Sequence, residues 1–313
     1  MRMVLSVPDD FDFRNAVCSH GFFVLAPNRW DPTRQALETT IAVDETTAIT
    51  VTLREAPGHR VAVSADGSVA PPHRQAVRAA VVRMLRLDED LSPFHDRCRR
   101  SPSHREAAEM RFGRLLRSAS LFEDIVKVIC TCNVAWRQTV AMVENLVSHW
   151  GVPAASRHRS FPTPGRLAAA SVHELQANAR VGYRAASIHR LAMEVTTGNL
   201  GLAELEDHHG PTDELIRRLR RIHGVGDYAA GHLCMLAGYY DRLAVDTEMM
   251  RFLKSQHPRR RWTANRIKEH YAKWFPYQFL AYWFELWQDY TRHHGRADQW
   301  DPRVDGRQIT NVE

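Results

Sequence analysis

The sequence lacks a long hydrophobic run and a recognisable export signal. No stretch stays apolar for the roughly 20 residues that a membrane-spanning helix requires. The opening MRMVLSVPDDFDF contains acids where a signal peptide needs an unbroken apolar core. We therefore expect a cytoplasmic protein that makes no membrane contact.

Cysteine is also scarce. The five cysteines are an odd number and include no CxxC pair, which excludes a disulfide framework and a zinc knuckle. The adjacent histidines 208–209 and 293–294 lack the spacing of a zinc site. We expect no metal site and a reducing compartment. The cysteines are Cys18, Cys98, Cys130, Cys132 and Cys234.

The chain also has no excess of acidic residues. Lysine and arginine together number 42 and aspartate and glutamate 36, which gives a formal net charge of +6. This balance makes polyanions reasonable partners without identifying one. A chain of 313 residues with 44% hydrophobic residues is long enough for two or three small folded domains.

The hydrophobic pattern changes once along the chain. The segments LETTIAVDE, AITVTLRE and HRVAVSADG alternate between apolar and polar residues and are separated by turn residues, as strands of an antiparallel sheet are. PPHRQAVRAAVVRMLRL then has helical spacing, and nearly everything after it is helical. We expect an α+β protein with a small antiparallel sheet in an α+β domain over 1–90 and helices over 91–313.

Several helical segments can be placed in that second region. SLFEDIVKVICTCNVAWRQTVAMVENLVSHWG predicts two core helices joined between Thr131 and Ala135. The polar stretch from Gly201 to Pro211 is expected to be a loop. A final, aromatic-rich helical segment is expected over 262–295.

The segment RIHGVGDYAAGHL predicts a helical hairpin. Glu214 to Ile222 is amphipathic, Tyr228 to Leu236 forms a second helix, and Gly224-Val225-Gly226 lies between them. The free backbone N–H groups at the start of the second helix can hold a phosphate. A helix cap followed by a flexible connection explains such a glycine pair equally well.

Asp246 follows Gly226 at a distance of 20 residues, in the tetrapeptide AVDT. An ionised carboxylate can stabilise a developing positive charge and activate a water molecule. An aspartate before TEMMRF can also cap a helix. The two roles are compatible with each other.

The hairpin and AVDT at this spacing together resemble the helix-hairpin-helix (HhH-GPD) DNA glycosylase superfamily. SLFEDIVKVICTCN and RVGYRAASI are similar to segments of its 8-oxoguanine and AlkA-type 3-methyladenine branches. The resemblance is dense between about Ser120 and Phe252. It implies a two-lobed all-α glycosylase domain over 91–313, with the hairpin at 214–236, DNA between the lobes and Asp246 as the catalytic acid.

The resemblance also implies the reaction type. Bifunctional members have a lysine two residues after the second hairpin glycine, where this chain has Tyr228. Without that amine no Schiff base forms, which implies a monofunctional enzyme that releases a base by hydrolysis and leaves an abasic site. Tyr228, His232 and Trp136 are expected to line the base pocket. A packing tyrosine and a structural histidine are the alternatives.

DNA contacts are implied for six residues. Asn133 is expected to fill the space left by the flipped base, Tyr183 to act as a wedge and Arg184 to contact the estranged base. A core tyrosine and a solvated arginine explain the same GYR segment. Gln138 stands where the 8-oxoguanine branch has a second arginine, so a strict preference for cytosine is not expected. The remaining DNA-binding candidates are Gly224, Val225 and Gly226.

The implied cofactors and partners are few. No iron–sulfur cluster is expected, because its four cysteines would have to follow Asp246 and none does. A monovalent cation held by backbone carbonyls of the hairpin is compatible with the resemblance. The arginine run 259–261 either extends the DNA-binding face or is simply solvated. The expected partner is double-stranded DNA containing a damaged or modified base, bound by a nucleoid-associated monomer.

Several alternatives remain for the function. One is a non-catalytic helix-hairpin-helix DNA-binding protein, since such hairpins also occur where only backbone binding is needed. Another is a glycosylase specific for mismatched thymine or uracil, or for oxidised guanine. Within the glycosylase hypothesis we expect N-alkylated bases to react best, because their positive charge weakens the glycosidic bond.

Overall fold

The computed structural model describes residues 1–302 and 304–307. The amino-terminal part contains one five-stranded antiparallel sheet with the strand order β1-β5-β4-β3-β2. The three predicted strand segments form β3, β4 and β5, whereas the two edge strands were not predicted. The strands are β1 (Arg2–Ser6), β2 (Arg29–Asp31), β3 (Ala36–Ala42), β4 (Ala48–Ala56) and β5 (Arg60–Ser64).

One face of the sheet is buried. Leu37 lies opposite Leu53, and Leu53 lies opposite Val63, so that three apolar side chains form a row across the central strands. All three are at most 1% exposed. This row follows from the two-residue period of a strand, which places alternate side chains on the core side.

Helices make up most of the chain after the sheet, which confirms the α+β prediction. The expected loop from Gly201 to Pro211 is wrong in part, because it contains a short helix that buries Leu205. The helices are α1 (Phe13–Val17), α2 (Pro71–Met84), α3 (Ser92–Arg99), α4 (Arg105–Glu109), α5 (Leu121–Thr131), α6 (Trp136–Trp150), α7 (Pro164–Ala169), α8 (Val172–Ala179), α9 (Arg184–Thr196), α10 (Leu202–Glu206), α11 (Thr212–Leu219), α12 (Asp227–Leu236), α13 (Thr247–Gln256), α14 (Ala264–Tyr271) and α15 (Gln278–His294).

Side-chain caps determine where several of these helices begin. The Ser120 hydroxyl accepts the N–H of Glu123 at the start of α5, and Thr163 does the same for α7. At α8, Ser171 and Glu174 form a reciprocal capping box. Such side chains satisfy N–H groups that have no partner within the helix.

The carboxy-terminal segment packs back on the sheet region. The indole N–H of Trp30 donates to the Asp298 carbonyl at 3.0 Å, and that of Trp283 donates to the Ser19 carbonyl at 2.8 Å. The two regions therefore share contacts over more than 260 residues of sequence. A domain boundary near residue 90 stays a prediction.

A buried ion network joins the two regions. The fully buried Asp124 of α5 lies 2.8 Å from the guanidinium of Arg83 on α2, and Arg117 lies 3.6 Å from the same carboxylate. Glu206 of α10 pairs with both arginines. Burial acts to raise the pKa of Asp124, but the two guanidinium groups outweigh it and the pKa is lowered.

In the described part of the chain, no helix is both long and apolar enough to cross a membrane.

Candidate active site

A cavity of about 660 Å³ opens between the α5–α6 turn, one face of α12, the start of α13 and one face of α15. It brings together five residues that the sequence placed in or near the site. Apolar and aromatic side chains form most of the remaining wall. The five are Asn133, Trp136, Tyr228, His232 and Asp246.

Asp246 is the N-cap of α13, so the capping role weighed from the sequence is confirmed. Its Oδ1 accepts the backbone N–H of Met249 at 2.7 Å. Burial raises the pKa of Asp246, against the lowering effects of the Met249 N–H and of nearby His232. The helix dipole favours a negative charge at this position. The result is a carboxylate that faces a cavity and is poorly solvated by water.

His232 lies next to Asp246 and has a defined tautomer. Its Nδ1 is 3.0 Å from the backbone carbonyl of Tyr228, and a carbonyl only accepts, so Nδ1 carries the proton. Burial lowers the pKa of His232, although the Asp246 carboxylate opposes this effect. The ring is therefore neutral near pH 7, and Nε2 is a hydrogen-bond acceptor.

Tyr228 packs against His232, with ring centroids 4.2 Å apart. Burial, together with the nearby Asp246 carboxylate, raises the pKa of the Tyr228 phenol to about 12. The side chain is thus neutral at physiological pH and provides no amine. It is half-buried and lines the cavity.

Trp136 forms one wall of the cavity and is held in place from two sides. Its indole N–H donates to the Gly306 carbonyl at 2.7 Å. A Cβ added at Gly21 would lie 2.5 Å from two ring carbons, so the indole lies directly against the backbone there. Trp283 on the opposite wall stacks on Phe279 at 5.7 Å and 15°.

The sequence did not identify two polar groups in this cavity. His20 donates its Nε2–H to the Leu116 carbonyl at 2.7 Å, and burial lowers its pKa to about 4. Glu248 accepts hydrogen bonds from the Nε and Nη2 atoms of Arg251 and one at 2.8 Å from the Tyr290 hydroxyl. Glu248 could have been noticed, since it lies two residues after Asp246, but the isolated His20 has no local signal.

The two hairpin glycines meet different constraints. Gly224 has φ +86°, and a Cβ there would lie 2.5 Å from the Ser187 hydroxyl oxygen. Gly226 has φ −89°, and a Cβ there would meet nothing within 4 Å. Gly224 therefore permits packing of the hairpin on α9, whereas Gly226 leaves the start of α12 open. Val225 is buried and fixes the turn through a 3.0 Å bond to the Ile222 carbonyl.

Two candidate DNA contacts, Asn133 in the α5–α6 turn and Tyr183 at the start of α9, lie next to each other. Asn133 has φ +53°, and its side-chain amide lies 3.3 Å from the Tyr183 hydroxyl. Tyr183 is 64% exposed, which is unusual for a large aromatic side chain. The alternative interpretation of Tyr183 as a core residue is therefore wrong. Its role as a wedge stays a prediction.

Arg184 is placed differently from the sequence expectations. It is only 5% exposed, and its guanidinium donates to the Cys132 carbonyl of the turn and lies 4.5 Å from the Tyr183 ring centroid. The alternative of a solvated arginine is wrong. In this position Arg184 supports Asn133 and Tyr183, and the contact with an estranged base stays a prediction.

A second cavity, of about 790 Å³, lies on the other side of this turn. Val134 lines both cavities, so the turn forms the wall between them. Gln138 lines the second cavity, and its Oε1 accepts the Ala135 N–H at 3.1 Å. Arg184 lines the same cavity from α9.

No group of three or more His, Cys, Asp or Glu side chains in residues 1–302 and 304–307 is arranged to hold a metal ion. In the hairpin, the Ile222 and Gly226 carbonyls accept N–H groups at 3.0 and 2.9 Å. A carbonyl oxygen has a second lone pair, which is the kind of ligand that the expected monovalent cation requires. That cation stays a prediction.

Comparisons with known proteins agree with the geometry. The model of the HhH-GPD superfamily of base excision DNA repair proteins matches residues 126–277. This range includes the turn, the hairpin and Asp246. A search among curated proteins found no match.

Solved structures with the same fold cover nearly the whole chain. MBOgg1 in complex with a low-affinity DNA ligand has a TM-score of 0.72 and 20% identity, over 92% of this chain and 96% of that one. The apo 8-oxoguanine glycosylase/lyase of Clostridium acetobutylicum has a TM-score of 0.69 and 14% identity, over 91% and 96%. For 3-methyladenine DNA glycosylase from Archaeoglobus fulgidus the values are 0.67 and 19%, over 94% and 98%. Residues 126–277 thus match the HhH-GPD superfamily of base excision DNA repair proteins, and the chain as a whole has the fold of these solved structures.

Proposed function

We propose that the protein binds double-stranded DNA, flips a damaged or modified base into the Asp246 cavity and releases it by hydrolysis, leaving an abasic site. The observation that carries this proposal is the joint position of Asp246 and Tyr228 in one cavity whose described lining contains no lysine. The carboxylate is present and the Schiff-base amine is not.

The chemistry requires stabilisation of a sugar with positive character. When the glycosidic bond breaks, charge develops at C1′, and the poorly solvated Asp246 carboxylate stabilises that charge. A water molecule then attacks C1′, and Asp246 accepts its proton. The neutral Nε2 of His232 is a second acceptor that can orient this water or a donor group of the base.

The cavity wall favours a base that carries positive charge. Its aromatic residues include Trp136, Phe279, Tyr282 and Trp283, whose rings attract cations. It also contains the carboxylate of Asp246, whereas that of Glu248 is paired with Arg251 at 2.6 Å, and it has no arginine or lysine among the described lining residues. N-alkylated purines fit this environment, and their charge removes the need for an acid that protonates the leaving base.

The second cavity supports a loose demand on the opposite base. If the α5–α6 turn fills the gap left by the flipped base, this cavity lies on the side of the estranged base. Gln138 there has its carbonyl oxygen engaged with the Ala135 N–H. The one free amide group of Gln138 cannot form a bidentate pair like the one by which arginine selects guanine. It therefore imposes no comparable demand for cytosine.

A panel of single-lesion duplexes tests the proposal, with each lesion placed opposite all four bases. Free base is measured by mass spectrometry, strand breaks are measured before and after alkali, and borohydride is added to trap any Schiff base. We expect base release with breaks only after alkali, no trapped adduct, and the highest rate on alkylated purines. Asp246→Asn is the inactive control.

Three outcomes of this panel would each contradict a part of the proposal. A borohydride-trapped complex would contradict the monofunctional mechanism. Release of 8-oxoguanine only when it is opposite cytosine would contradict both the substrate ranking and the interpretation of Gln138. No release from any duplex would leave the non-catalytic helix-hairpin-helix DNA-binding protein as the better hypothesis.

A further inference from the structure

One segment of the chain has an excess of positive charge as large as the net charge of the whole chain. Residues 254–273, called here the basic segment, contain seven of the 42 lysines and arginines and one of the 36 acids. Their excess of six equals the formal net charge of +6 of the whole chain, so the other residues carry 35 charges of each sign. The rest of the molecule is therefore electrically balanced.

The cations of the basic segment are exposed and unpaired. Elsewhere the arginines commonly form ion pairs, as Arg251 does with Glu248 at 2.6 Å. In the described part of the chain, no carboxylate lies within 4.0 Å of any of the seven. None of the seven thus forms a direct ion pair among the described residues, although the Lys273 ammonium acts to lower the pKa of the Glu285 carboxyl. The seven are Lys254, Arg259, Arg260, Arg261, Arg266, Lys268 and Lys273.

The segment is also ordered by its own contacts. The Arg260 guanidinium lies 4.3 Å from the ring centroid of Trp262, which is buried and donates its indole N–H to the Leu253 carbonyl at 3.0 Å. Arg266 donates to the Arg261 carbonyl at 2.8 Å. Part of the entropy cost of positioning these groups is already met in the free protein, which favours binding.

The shape of the basic segment is suited to binding a row of phosphate groups. An open hollow of about 710 Å³ lies among its arginines, and all of its lining residues except Pro258 are polar or charged. A guanidinium stacked on an indole still presents N–H donors at its edge, in the geometry that phosphate oxygens accept. The lining residues are Gln256, His257, Pro258, Arg259, Arg260, Arg261 and Arg266.

The basic segment is separate from the active site. Asp246 caps the amino terminus of α13, and the hollow begins at Gln256, the last residue of that helix. Ten helical residues at about 1.5 Å each place the two ends roughly 15 Å apart. The hollow and the Asp246 cavity share no lining residue.

We propose that the basic segment is a second binding surface for the phosphate backbone of duplex DNA, apart from the hairpin and the Asp246 cavity. It adds affinity that is independent of sequence and lesion. The proposal rests on DNA as the partner in the proposed function, and not on base release.

The test is the salt dependence of binding to an undamaged duplex. In Arg259→Gln/Arg261→Gln, which leaves the Arg260–Trp262 stack in place, the slope of log Kd against log salt should fall by up to about two, because each phosphate contact contributes about 0.9. The matched control is Arg74→Gln/Arg78→Gln on α2, which removes the same charge from exposed positions. Thermal melting of both variants confirms that they fold.

An unchanged slope in the Arg259/Arg261 variant, or an equal change in the control, would overturn the proposal. A second measurement separates two sources of phosphate, using energy transfer between two differently labelled duplexes. Transfer that is lost in the Arg259/Arg261 variant shows that the segment holds a second duplex. A reduced slope without transfer shows contacts to phosphates of the duplex already in the cleft. Since the probe is undamaged DNA, failure of base release would not affect this result.

Discussion

Replacing Gly224 and Gly226 separately by alanine should separate folding from DNA binding. At Gly224 the new Cβ would lie 2.5 Å from the Oγ and 2.6 Å from the Cβ of Ser187, on a backbone with φ +86°. At Gly226 the backbone has φ −89° and ψ −171°, which alanine adopts easily, and the new Cβ meets nothing within 4 Å. The first change affects the folded core and the second only the open start of α12.

The two effects differ in size and sign. For Gly224→Ala, a left-handed non-glycine residue costs about 1–2 kcal/mol, and steric overlap in a packed site costs about 1–3 kcal/mol more. The combined loss of about 2–5 kcal/mol lowers Tm by roughly 4–20 °C, since 1 kcal/mol shifts Tm by roughly 2–4 °C in chains of this order of length. Gly226→Ala should raise stability slightly, by about 0.4–1 kcal/mol, because alanine reduces the entropy of the unfolded chain.

DNA affinity should fall in Gly226→Ala, although this variant keeps its stability. A methyl group at Gly226 lies where a phosphate would approach the free N–H groups of α12. Losing one charge-assisted hydrogen bond costs about 1.5–3 kcal/mol, which weakens Kd by roughly tenfold or more. Differential scanning calorimetry measures the stability, and a fluorescence titration with duplex DNA measures the affinity.

Two results would refute this reasoning. One is a Tm of Gly226→Ala that falls as far as that of Gly224→Ala, and the other is wild-type affinity of Gly226→Ala for DNA. Ser187→Gly provides a control for the clash, because it removes both atoms that the new Cβ would meet. In the Gly224→Ala background it should restore the steric part of the lost stability and leave the cost of the positive φ.

The remaining predictions concern the catalytic acid, the exposed turn and the buried network. Asp246→Asn should slow base release at least about 10²-fold in single-turnover assays and retain DNA binding, because it removes charge but keeps a cap. The acid limb of the pH–rate profile should lie above about pH 3.9, the ordinary value for aspartate, because burial raises the pKa of Asp246. Tyr183→Ala should slow base release without changing Tm, since this side chain is 64% exposed. Asp124→Asn should lower the free energy of unfolding by about 3 kcal/mol in urea titrations, because Arg83 and Arg117 lose a buried partner.

Controls distinguish these effects from general damage. Because the folded pKa of Asp124 is lowered, its contribution to stability is present above about pH 3.9 and is lost as the pH falls further, and Asp124→Asn should lack this loss. Tyr183→Phe keeps the ring and should retain most activity. Equal rates in Asp246→Asn and the wild type would reduce Asp246 to a cap. An acid limb that persists in Asp246→Asn would assign it to another group.

The sequence predicted those elements whose residues repeat with a clear period. The strands β3 to β5 alternate, and the helices α2, α5 and α6 keep a helical spacing of apolar residues. The edge strand β1 has one buried residue among five and β2 has three residues in all, so neither produces a recognisable pattern. The helix α10 was missed for the same reason, because it buries only Leu205.

The site followed from the sequence where residues lie close to a motif. Asp246, Tyr228 and His232 were found from the family resemblance, by their positions relative to the hairpin glycines, and the structure brings them to one cavity. The burial of Arg184 could not be predicted, because its partner is a backbone carbonyl 52 residues away. The position of Trp136 likewise depends on the carbonyl of Gly306, 170 residues along the chain.

The electrostatics of the cavity explain why tyrosine and aspartate suit each other here. A lysine at position 228 would bring a cation close to Asp246, because the carboxylate is near enough to raise the pKa of the Tyr228 phenol. An ion pair formed in this way would neutralise the carboxylate before substrate arrives. With a neutral phenol at 228 and a neutral imidazole at 232, no fixed cation in the described lining competes for Asp246. Its charge, which burial has left poorly solvated, is then stabilised most strongly by a cationic base or by the sugar cation that forms as the base leaves.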